Sequence, residues 1–369
     1  MDGSQMNRLP QDTLQLIFSS LPLRDIIACR SVCKSFNQTL TSSSFMDLIS
    51  TRPPLHFLAL RPPPHHHRHR HRCHESFQPS LHVYDSCHNK WLRFSLDFLP
   101  FRSPHPVASA GGLVYLWGDS TNSTESNKSL VVCNPLTRQY RVLPQLGSAW
   151  SRHGSVLVDS VNRIMVLTEL AALYFSGSSN KWLKFSSNLP SKPRSPMLIS
   201  NSVYALCDVG SPWRNRWKLF TCSLNSSNDH HHNWVRLEKP EWGDIFDIIK
   251  RPRLVRGSGS NEILMIGGLK STLSLNPACS TLLILKLDLD SLEWEEADRM
   301  PVDMYRCFQE STKFKVFGGG DKVCFSAKRV GRLALWDSGE GWRWIDEMPG
   351  NGDGLSRGFV FEAQLNALP

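Results

Sequence analysis

The chain has 369 residues, of which 40% are hydrophobic and 20% are charged. This length is too great for a single small domain, and this composition supports a packed core and excludes wholesale disorder. The formal net charge of +9 is compatible with nucleic acid or with acidic proteins as partners, so the charge alone excludes neither class.

Targeting and membrane segments are not expected. The first ten residues, MDGSQMNRLP, contain no apolar run, and the most apolar later stretch, residues 263–289, is interrupted by charged side chains. A signal peptide and a membrane helix each need an uninterrupted apolar segment. We therefore expect a protein of the cytoplasm or nucleus that has no membrane partner and whose ten cysteines are reduced thiols.

Residues 8–48 have the pattern of three short helices. Pro10 suits the first turn of the first helix, because a first-turn residue needs no amide hydrogen. Leu14, Ile17 and Leu21 follow at a spacing that places them on one helix face. The sequence therefore predicts an amphipathic first helix.

Pro22 separates this helix from a second one, and a third is predicted over residues 32–40. A unit of about forty residues buries little apolar surface and is marginally stable without a staple or a partner. Its sequence has neither a disulfide pattern nor a metal pattern. Its spare apolar faces, which we expect to be separate from the core of the rest of the chain, predict contact with another protein.

The same segment resembles the F-box. The matching positions are Leu9, Pro10, Leu14, Ile17, Leu21, Pro22, Asp25, Ile26, Arg30, Val32, Cys33, Lys34, Phe36 and Phe45. Phe36 is the one departure, since the family commonly has Trp there. The resemblance implies docking onto the Skp-type adaptor of a cullin–RING ubiquitin ligase. The adaptor-binding residues that it implies are Leu9, Pro10, Leu14, Ile17, Leu21, Pro22, Ile26, Val32, Cys33 and Phe36.

From residue 55 onward the apolar pattern changes to period two, which is typical of β-strands. A unit recurs in which an apolar strand and a polar turn precede an aromatic residue that starts another strand. These aromatics are Trp91, Tyr140, Trp182, Trp234, Trp294 and Trp342, and they are 49, 42, 52, 60 and 48 residues apart. Six units of about fifty residues, each with room for four short strands, predict a six-bladed β-propeller over residues 55–369.

The first unit lacks one strand, and the last apolar run, residues 358–365, has no unit of its own. We expect this run to be the innermost strand of the first blade and to close the ring. Gly267-Gly268, after an apolar strand, resembles the double glycine of kelch repeats. The chain thus resembles plant F-box/kelch-repeat proteins, with a mainly β fold in which a small three-helix F-box precedes a six-bladed kelch-type propeller.

Two histidine-rich segments, residues 65–74 and 230–232, resemble metal-binding tracts. Arginines alternate with histidines in the first segment, and their positive charge opposes the convergence of four zinc ligands. We interpret both segments as solvated loops and predict no metal site and no cofactor.

Catalytic motifs are not recognisable in the sequence. Galactose oxidase, a propeller enzyme, needs copper held by His and Tyr side chains, whereas this chain has 6 Tyr and nine of its 14 His lie in the two histidine-rich segments. Gly318-Gly319-Gly320 precedes a predicted strand, which is unlike a phosphate-binding loop before a helix. We therefore predict a non-catalytic protein.

In a four-stranded blade, the loops between the second and third strands lie on the same face as the blade-to-blade connections. Most long loops fall on this face, which we call the long-loop face; they are residues 61–80, 119–129, 209–216 and 269–280. Binding residues concentrate in loops that a rigid scaffold carries. The long-loop face is therefore the predicted substrate surface.

Arginine and aromatic residues recur in the loops of this face, including Arg253 and Trp242. Such residues dominate protein interfaces, and the arginine fork suits carboxylates or a phosphate. We predict a surface for an acidic or phosphorylated protein segment, formed by Arg102, Trp150, Arg152, Arg194, Trp213, Arg251, Tyr305, Arg306 and Arg357.

Together these patterns predict the substrate-recognition subunit of an SCF-type (cullin–RING) ubiquitin ligase. In this role the F-box binds the Skp-type adaptor and the propeller binds the target protein. The alternative is a basic nucleic-acid- or chromatin-associated propeller, to which the net charge of +9 points. Salt-dependent DNA binding by the propeller would favour that alternative.

Overall fold

The computed structural model describes residues 9–50, 52, 54–61, 79–101, 103–119, 128–159, 161, 163–224, 233–270, 279–309, 313–349 and 355–369. A unit of helices precedes a ring of antiparallel sheets. The helices of the first unit are α1 (Gln11–Ser20), α2 (Leu23–Arg30), α3 (Lys34–Leu40) and α4 (Ser43–Ser50).

Prolines set the starts of the first two helices. Pro10 and Pro22 immediately precede α1 and α2, and their carbonyl groups accept hydrogen bonds from the amides of Leu14 and Ile26. Proline suits this position because it cannot continue a helix toward the N-terminus but leaves its carbonyl free to accept. The sequence places Pro10 inside the first turn, whereas the structure places it one position earlier.

The unit contains a fourth helix, α4, where the sequence predicts three. Phe45 and Ile49 of α4 are buried in the core of the unit. Buried Gln15 of α1 donates from Nε2 to the hydroxyl oxygens of Ser42 (3.1 Å) and Ser44 (2.8 Å), where α4 begins. The fourth helix therefore completes the small core and is fixed to α1 by polar contacts.

The strands form six four-stranded sheets, which are the blades of a propeller. Blade 1 consists of β1 (Leu55–Arg61), β2 (Ser80–Asp85), β3 (Lys90–Ser95) and β24 (Arg357–Ala363), blade 2 of β4 (His105–Ala110), β5 (Leu113–Asp119), β6 (Lys128–Asn134) and β7 (Gln139–Val142), and blade 3 of β8 (Ser155–Val158), β9 (Ile164–Leu167), β10 (Ala171–Ser176) and β11 (Lys181–Ser186). Blade 4 consists of β12 (Arg194–Ile199), β13 (Ser202–Asp208), β14 (Trp217–Ser223) and β15 (Val235–Leu237), blade 5 of β16 (Ile249–Arg256), β17 (Glu262–Lys270), β18 (Cys279–Asp288) and β19 (Trp294–Arg299), and blade 6 of β20 (Phe314–Gly319), β21 (Lys322–Ala327), β22 (Leu333–Asp337) and β23 (Gly341–Ile345). The predicted six-bladed β-propeller is confirmed.

Blade 1 is built from both ends of the propeller sequence. Its innermost strand, β24, pairs with β1 over the whole length of both strands, from Leu55 opposite Ala363 to Arg61 opposite Arg357. Phe361 of β24 is fully buried. The strand occupies the place that the sequence assigns to residues 358–365, and it joins the end of the chain to the first blade.

The core of the propeller lies between the blades. Side chains alternate between the two faces of a strand, so Ile263 and Met265 of β17 pack toward blade 4, whereas Leu264 and Ile266 pack toward blade 6. Because both faces of a blade are covered, its strands show continuous apolar runs instead of strict alternation.

The recurring aromatics pack each blade against the preceding one. The indole Nε1 of Trp182 in blade 3 donates to the Pro144 carbonyl (2.9 Å) in the connection that leaves blade 2. The indole Nε1 of Trp91 in blade 1 donates to the Asp346 carbonyl (3.3 Å) in the connection that leaves blade 6. The sequence repeat therefore reflects a repeated contact between neighbouring blades.

Short helices lie in several blade-to-blade connections. They are α5 (Ser148–His153), α6 (Ile245–Ile248), α7 (Val302–Gln309) and a 3-10 helix, Pro240–Trp242. Within the described ranges, no helix has the length and apolar character that a membrane crossing requires.

Candidate protein-binding surfaces

The helical unit leaves several apolar side chains uncovered. Leu9, Leu16 and Val32 are 37%, 61% and 66% exposed, and Pro10 and Pro22 are exposed before α1 and α2. Exposed apolar side chains concentrated in so small a unit indicate a partner surface. Leu16 is absent from the predicted set, because it lies outside the apolar face that the spacing of Leu14, Ile17 and Leu21 defines.

Three of the predicted adaptor-binding residues belong instead to the interior of the unit. Leu14, Ile26 and Phe36 are buried, and the Phe36 ring meets the Phe18 ring edge to face with 4.9 Å between centroids. Phe36 therefore fills the core, which explains why a phenylalanine suffices at this position. These residues shape the surface but are not exposed on it.

Ile17, Leu21 and Cys33 are half-buried. The Sγ atom of Cys33 accepts a hydrogen bond from the amide of Phe36 (3.4 Å) and so caps the start of α3. A cap satisfies an amide that the helix leaves unpaired. The position of Cys33 is therefore explained by local helix geometry.

The helical unit is seated on the first two blades. One apolar cluster extends from Phe18 and Phe45 of the helices to Phe57 of blade 1 and Leu136 of blade 2. Arg30, at the end of α2, donates from Nη1 to the Leu136 carbonyl (3.4 Å), and burial lowers the pKa of this arginine. The expectation of two separate apolar sets is therefore wrong, because one continuous apolar cluster joins the helices to blades 1 and 2.

The helices contact the face opposite to the long-loop face. Leu136 lies in the turn between β6 and β7, the third and fourth strands of blade 2. Such turns share a face with the turns between first and second strands, and we call this the turn face. Strand β1, which is the second strand of blade 1, also begins on the turn face, directly after the helical unit. The helices and the long loops therefore lie on opposite faces of the propeller.

The innermost strands surround a central channel with a volume of about 880 Å³. In blades 4, 5, 6 and 1, the channel wall begins one position after Arg194, Arg253, Lys315 and Arg357, respectively. Innermost strands start on the long-loop face, so these cations stand at the mouth of the channel on that face.

Cations of the described chain act on one another at this mouth. We call six of them the cationic cluster: Arg61, Arg194, Arg251, Arg253, Lys315 and Arg357. A further lysine, Lys313, acts on Lys315 from two positions away along the chain. Burial, followed by neighbouring positive charges, lowers the pKa of Arg61 and of Arg253 to about 10. Burial is the main cause that lowers the pKa of Lys315 to about 8, and the positive charges of Arg357, Arg253, Arg194 and Lys313 add to this effect. The cations are therefore close together and incompletely solvated.

Arg61, at the end of β1, reaches across to blade 2. Its Nη2 donates to the Val107 carbonyl, and its guanidinium carbon lies 5.9 Å from the centroid of the Phe359 ring. Its Nε is buried without a hydrogen-bond partner among the described residues. Among the described residues, neutral groups therefore hold this guanidinium in place without balancing its charge.

Arg194 packs against an aromatic ring, and a neighbouring carboxylate favours its charged form. Its guanidinium carbon lies 3.9 Å from the centroid of the Trp217 ring. Burial lowers the pKa of Arg194, and Asp208 opposes that effect. The same Asp208 carboxylate accepts hydrogen bonds from the amides of Gly210 (3.0 Å) and Arg216 (2.8 Å). Asp208 therefore orders the loop of residues 209–216 and favours the charged form of Arg194.

This loop presents Trp213, which is 95% exposed. The amide of Arg214 donates to the Ser211 carbonyl (3.1 Å), and the two residues form a bridge that closes the loop. An exposed tryptophan on an ordered loop is typical of an anchor at a protein interface. Of the predicted aromatics, Trp213 is the one that the structure leaves almost wholly accessible.

Tyr305 and Trp242, which we expected on the long-loop face, are buried. Tyr305 lies on α7 with buried Met304 and Phe308, and its hydroxyl donates to the Cys279 carbonyl (2.9 Å). The sequence shows the connection as a loop, whereas it forms an amphipathic helix whose apolar side packs on blades 5 and 6. Tyr305 therefore belongs to the core.

The remaining predicted substrate residues lie apart from the cationic cluster. Trp150 is half-buried and Arg152 is exposed on α5, and Arg306 is exposed on α7. Neither of these arginines is among the charges that act on Lys315 or Arg253. Arg102 lies outside the described residues.

Within the described residues, no three His, Cys, Asp or Glu side chains come together in a way that could hold a metal ion. The histidine-rich segments 65–74 and 230–232 lie outside the described residues. The same is true of most of three predicted long loops, at residues 62–78, 120–127 and 271–278.

Comparison with known proteins identifies the helical unit and the whole chain. Residues 6–48 match the F-box domain family. The chain is 70% identical to SKP1-interacting partner 15 of Arabidopsis thaliana over 100% of both proteins. It is 24% identical to an F-box/kelch-repeat protein of the same plant, over 98% of this chain and 90% of that protein, and 24% identical to the Arabidopsis protein UNUSUAL FLORAL ORGANS, over 96% of this chain and 81% of that protein. The chain therefore belongs to the plant F-box/kelch-repeat family.

Proposed function

We propose that this protein is the substrate-recognition subunit of an SCF-type ubiquitin ligase. The helical unit binds the Skp-type adaptor, the adaptor connects it to the cullin, and the long-loop face of the propeller binds the target protein. The observation that carries this proposal is the F-box unit, whose exposed Leu9, Leu16 and Val32 have no cover in the described chain. The name of the 70% identical relative, SKP1-interacting partner 15, supports the same adaptor.

We assign no catalytic step to this chain. A receptor accelerates ubiquitin transfer by holding the target near the conjugating enzyme, which raises the effective concentration of the reacting groups. The shared apolar core of helices and blades supports this role. A rigid junction keeps the adaptor-binding and target-binding surfaces at a constant separation.

The alternative of a nucleic-acid-binding propeller is not favoured. The 70% identical relative is named for a protein partner.

The adaptor contact is tested by the substitution Val32→Asp. Val32 is 66% exposed, so the free protein keeps its fold, but an unpaired carboxylate in an apolar interface costs several kcal/mol. We expect loss of co-purification with a Skp-type adaptor. Val161→Asp is the matched control, because Val161 is 72% exposed in a turn of blade 3.

Unchanged adaptor capture by Val32→Asp, and also by the double variant Leu9→Ala/Pro10→Ala, would refute the proposed contact. The melting temperature of each variant separates loss of binding from loss of folding. Val161→Asp should match the parent protein in both measurements.

A further inference from the structure

We propose that the cationic cluster is a binding site for a phosphate group carried by the target protein. The inference rests on the proposed function, because it names the chemical feature by which the long-loop face recognises its target. The site is the part of the channel mouth formed by blades 1, 4, 5 and 6, where the residues of the cationic cluster stand.

Convergence from separate blades is the first observation behind this site. Arg61 and Arg357 come from blade 1, Arg194 from blade 4, Arg253 from blade 5 and Lys315 from blade 6. These residues are far apart in the sequence, but Arg61 lines the channel and the other four directly precede the first wall residue of their blades at the same end. Fixed strands therefore bring the positive charges together before any ligand arrives, so little further ordering is needed on binding.

The charge balance at the mouth is the second observation. The charged groups that act on Arg61, Arg253 and Lys315 are all cations. Asp208 acts on Arg194 and offsets part of its charge, and the same carboxylate accepts hydrogen bonds from the loop amides. An anion at the mouth would therefore relieve the repulsion that neighbouring cations of the described chain exert on Arg61, Arg253 and Lys315.

The two ends of the channel differ in charge. Asp321, Glu362 and Arg256 line the wall at the turn face, and the Asp321 carboxylate is paired with Lys322 Nζ (2.9 Å), whereas the members of the cationic cluster at the long-loop face are all positive. An anionic group is therefore attracted to the long-loop mouth in preference to the other end. This polarity agrees with a target that approaches from the side opposite to the helical unit.

The backbone at the mouth is irregular in two neighbouring blades. The register of β12 shifts between Arg194 and Met197, and that of β16 shifts between Lys250 and Arg253. Such bulges redirect side chains and are common beside binding sites. Arg251 lies in the second bulge with φ +55 directly before a proline, a conformation that costs energy.

A phosphate fits this cluster better than a single carboxylate does. A phosphorylated side chain carries nearly two negative charges and three strong acceptor oxygens on one phosphorus atom. Arginine forks bind such oxygens through paired, charge-assisted hydrogen bonds. Several converging cations at one mouth therefore match one compact, doubly charged group.

The test uses degenerate peptide pools that contain a fixed phosphoserine, a fixed serine or a fixed Glu-Glu pair. We expect the full-length protein to retain the phosphoserine pool in preference to the other two. The double variant Arg253→Gln/Lys315→Met should bind that pool at least about tenfold more weakly, since each lost charge-assisted bond has roughly that effect. Removing mutually repelling charges should leave the fold intact.

Arg306→Gln is the matched control, because Arg306 is exposed on α7 but does not act on the charges of Lys315 or Arg253. It should retain the phosphoserine pool like the parent. Equal retention of the serine and phosphoserine pools, or equal binding by the double variant, would overturn the proposal. Retention of inositol hexakisphosphate or of a single-stranded oligonucleotide without retention of the phosphoserine pool would also overturn it.

Adaptor capture is measured on the same protein preparations. The double variant should bind the Skp-type adaptor like the parent, since its substitutions lie on the opposite face. Loss of phosphoserine preference with intact adaptor capture would reject the phosphate site alone. Failure of the parent to capture any adaptor would instead reject the proposed function.

Discussion

Lys315 is the residue of the cationic cluster whose charge a mild change of pH alters. Burial is the main cause of its pKa of about 8, followed by the positive charges of Arg357, Arg253, Arg194 and Lys313. Lys315 is protonated below this pH and loses its charge as the pH rises through it. Arg253, with a pKa of about 10, stays charged over the same interval.

We therefore expect the affinity for the phosphoserine pool to fall as the pH rises from about 7 to about 9. The phosphoserine itself does not cause this fall in affinity, because its second pKa of about 6 lies below this pH interval. The variant Lys315→Arg keeps its charge and should show a nearly constant affinity. A fall of the same size in Lys315→Arg would exclude Lys315 as the titrating group.

Single residues also show where sequence reasoning succeeds and where it fails. Arg194 and Arg357 are predictable, because they recur where the chain enters a blade. Arg61 and Lys315 are not, because their part in the cationic cluster depends on how neighbouring blades are placed. Tyr305 is misplaced because side-chain chemistry alone does not show whether a connection is a loop or an amphipathic helix.

Among the elements, the outer strands explain why the repeat is readable from sequence. A blade can lose its glycine pair without losing its strands, but the aromatic at the start of its fourth strand packs against the preceding blade. Because of this contact, an aromatic residue recurs at this position once in every blade, including the blades that lack a glycine pair. The helix α4 is harder to predict, since only Thr41 and Ser42 separate it from α3 and the sequence contains no proline there.

Asp298 of β19 links two blades through the same kind of contact. Its Oδ2 accepts hydrogen bonds from the indole Nε1 atoms of Trp336 (2.8 Å) and Trp342 (3.1 Å) in blade 6. Asp298→Ala would leave two partly buried indole donors without this acceptor. We expect the free energy of unfolding to fall by about 2 kcal/mol, as measured by urea denaturation.

Asp298→Asn is the matched control for that substitution. The amide keeps an acceptor oxygen of nearly the same shape, so the loss of stability should be clearly smaller than for alanine. Equal losses in the two variants would show that the carboxylate charge, and not the hydrogen bonds to the indoles, stabilises the contact.

At the scale of the whole molecule, the join between helices and propeller is the feature that the sequence hides. Arg30 and Leu136 are 106 positions apart, and each alone looks like an ordinary surface or turn residue. The join makes the receptor one body with its helices on the turn face and its cationic cluster on the long-loop face. This contact therefore fixes the position of the helical unit relative to the long-loop face of the propeller.

The substitution Leu136→Asp tests this contact. Leu136 is 5% exposed and lies in the apolar cluster that the helices share with the first two blades. A carboxylate there costs several kcal/mol unless the contact opens and admits water. We expect faster hydrogen exchange in α2 and α3, unchanged protection in blades 3 to 6, and two thermal transitions in place of one.

Two further variants separate loosening of the join from damage to blade 2. Arg30→Ala removes the hydrogen bond to the Leu136 carbonyl from the helix side alone, so it should shift exchange in the same helices to a smaller extent. Leu170→Asp, at a position that is 72% exposed, should leave exchange unchanged throughout. If exchange in α2 and α3 were the same in Leu136→Asp as in the parent, the helices would not depend on the blades for their stability. The two binding surfaces would then be free to move relative to each other.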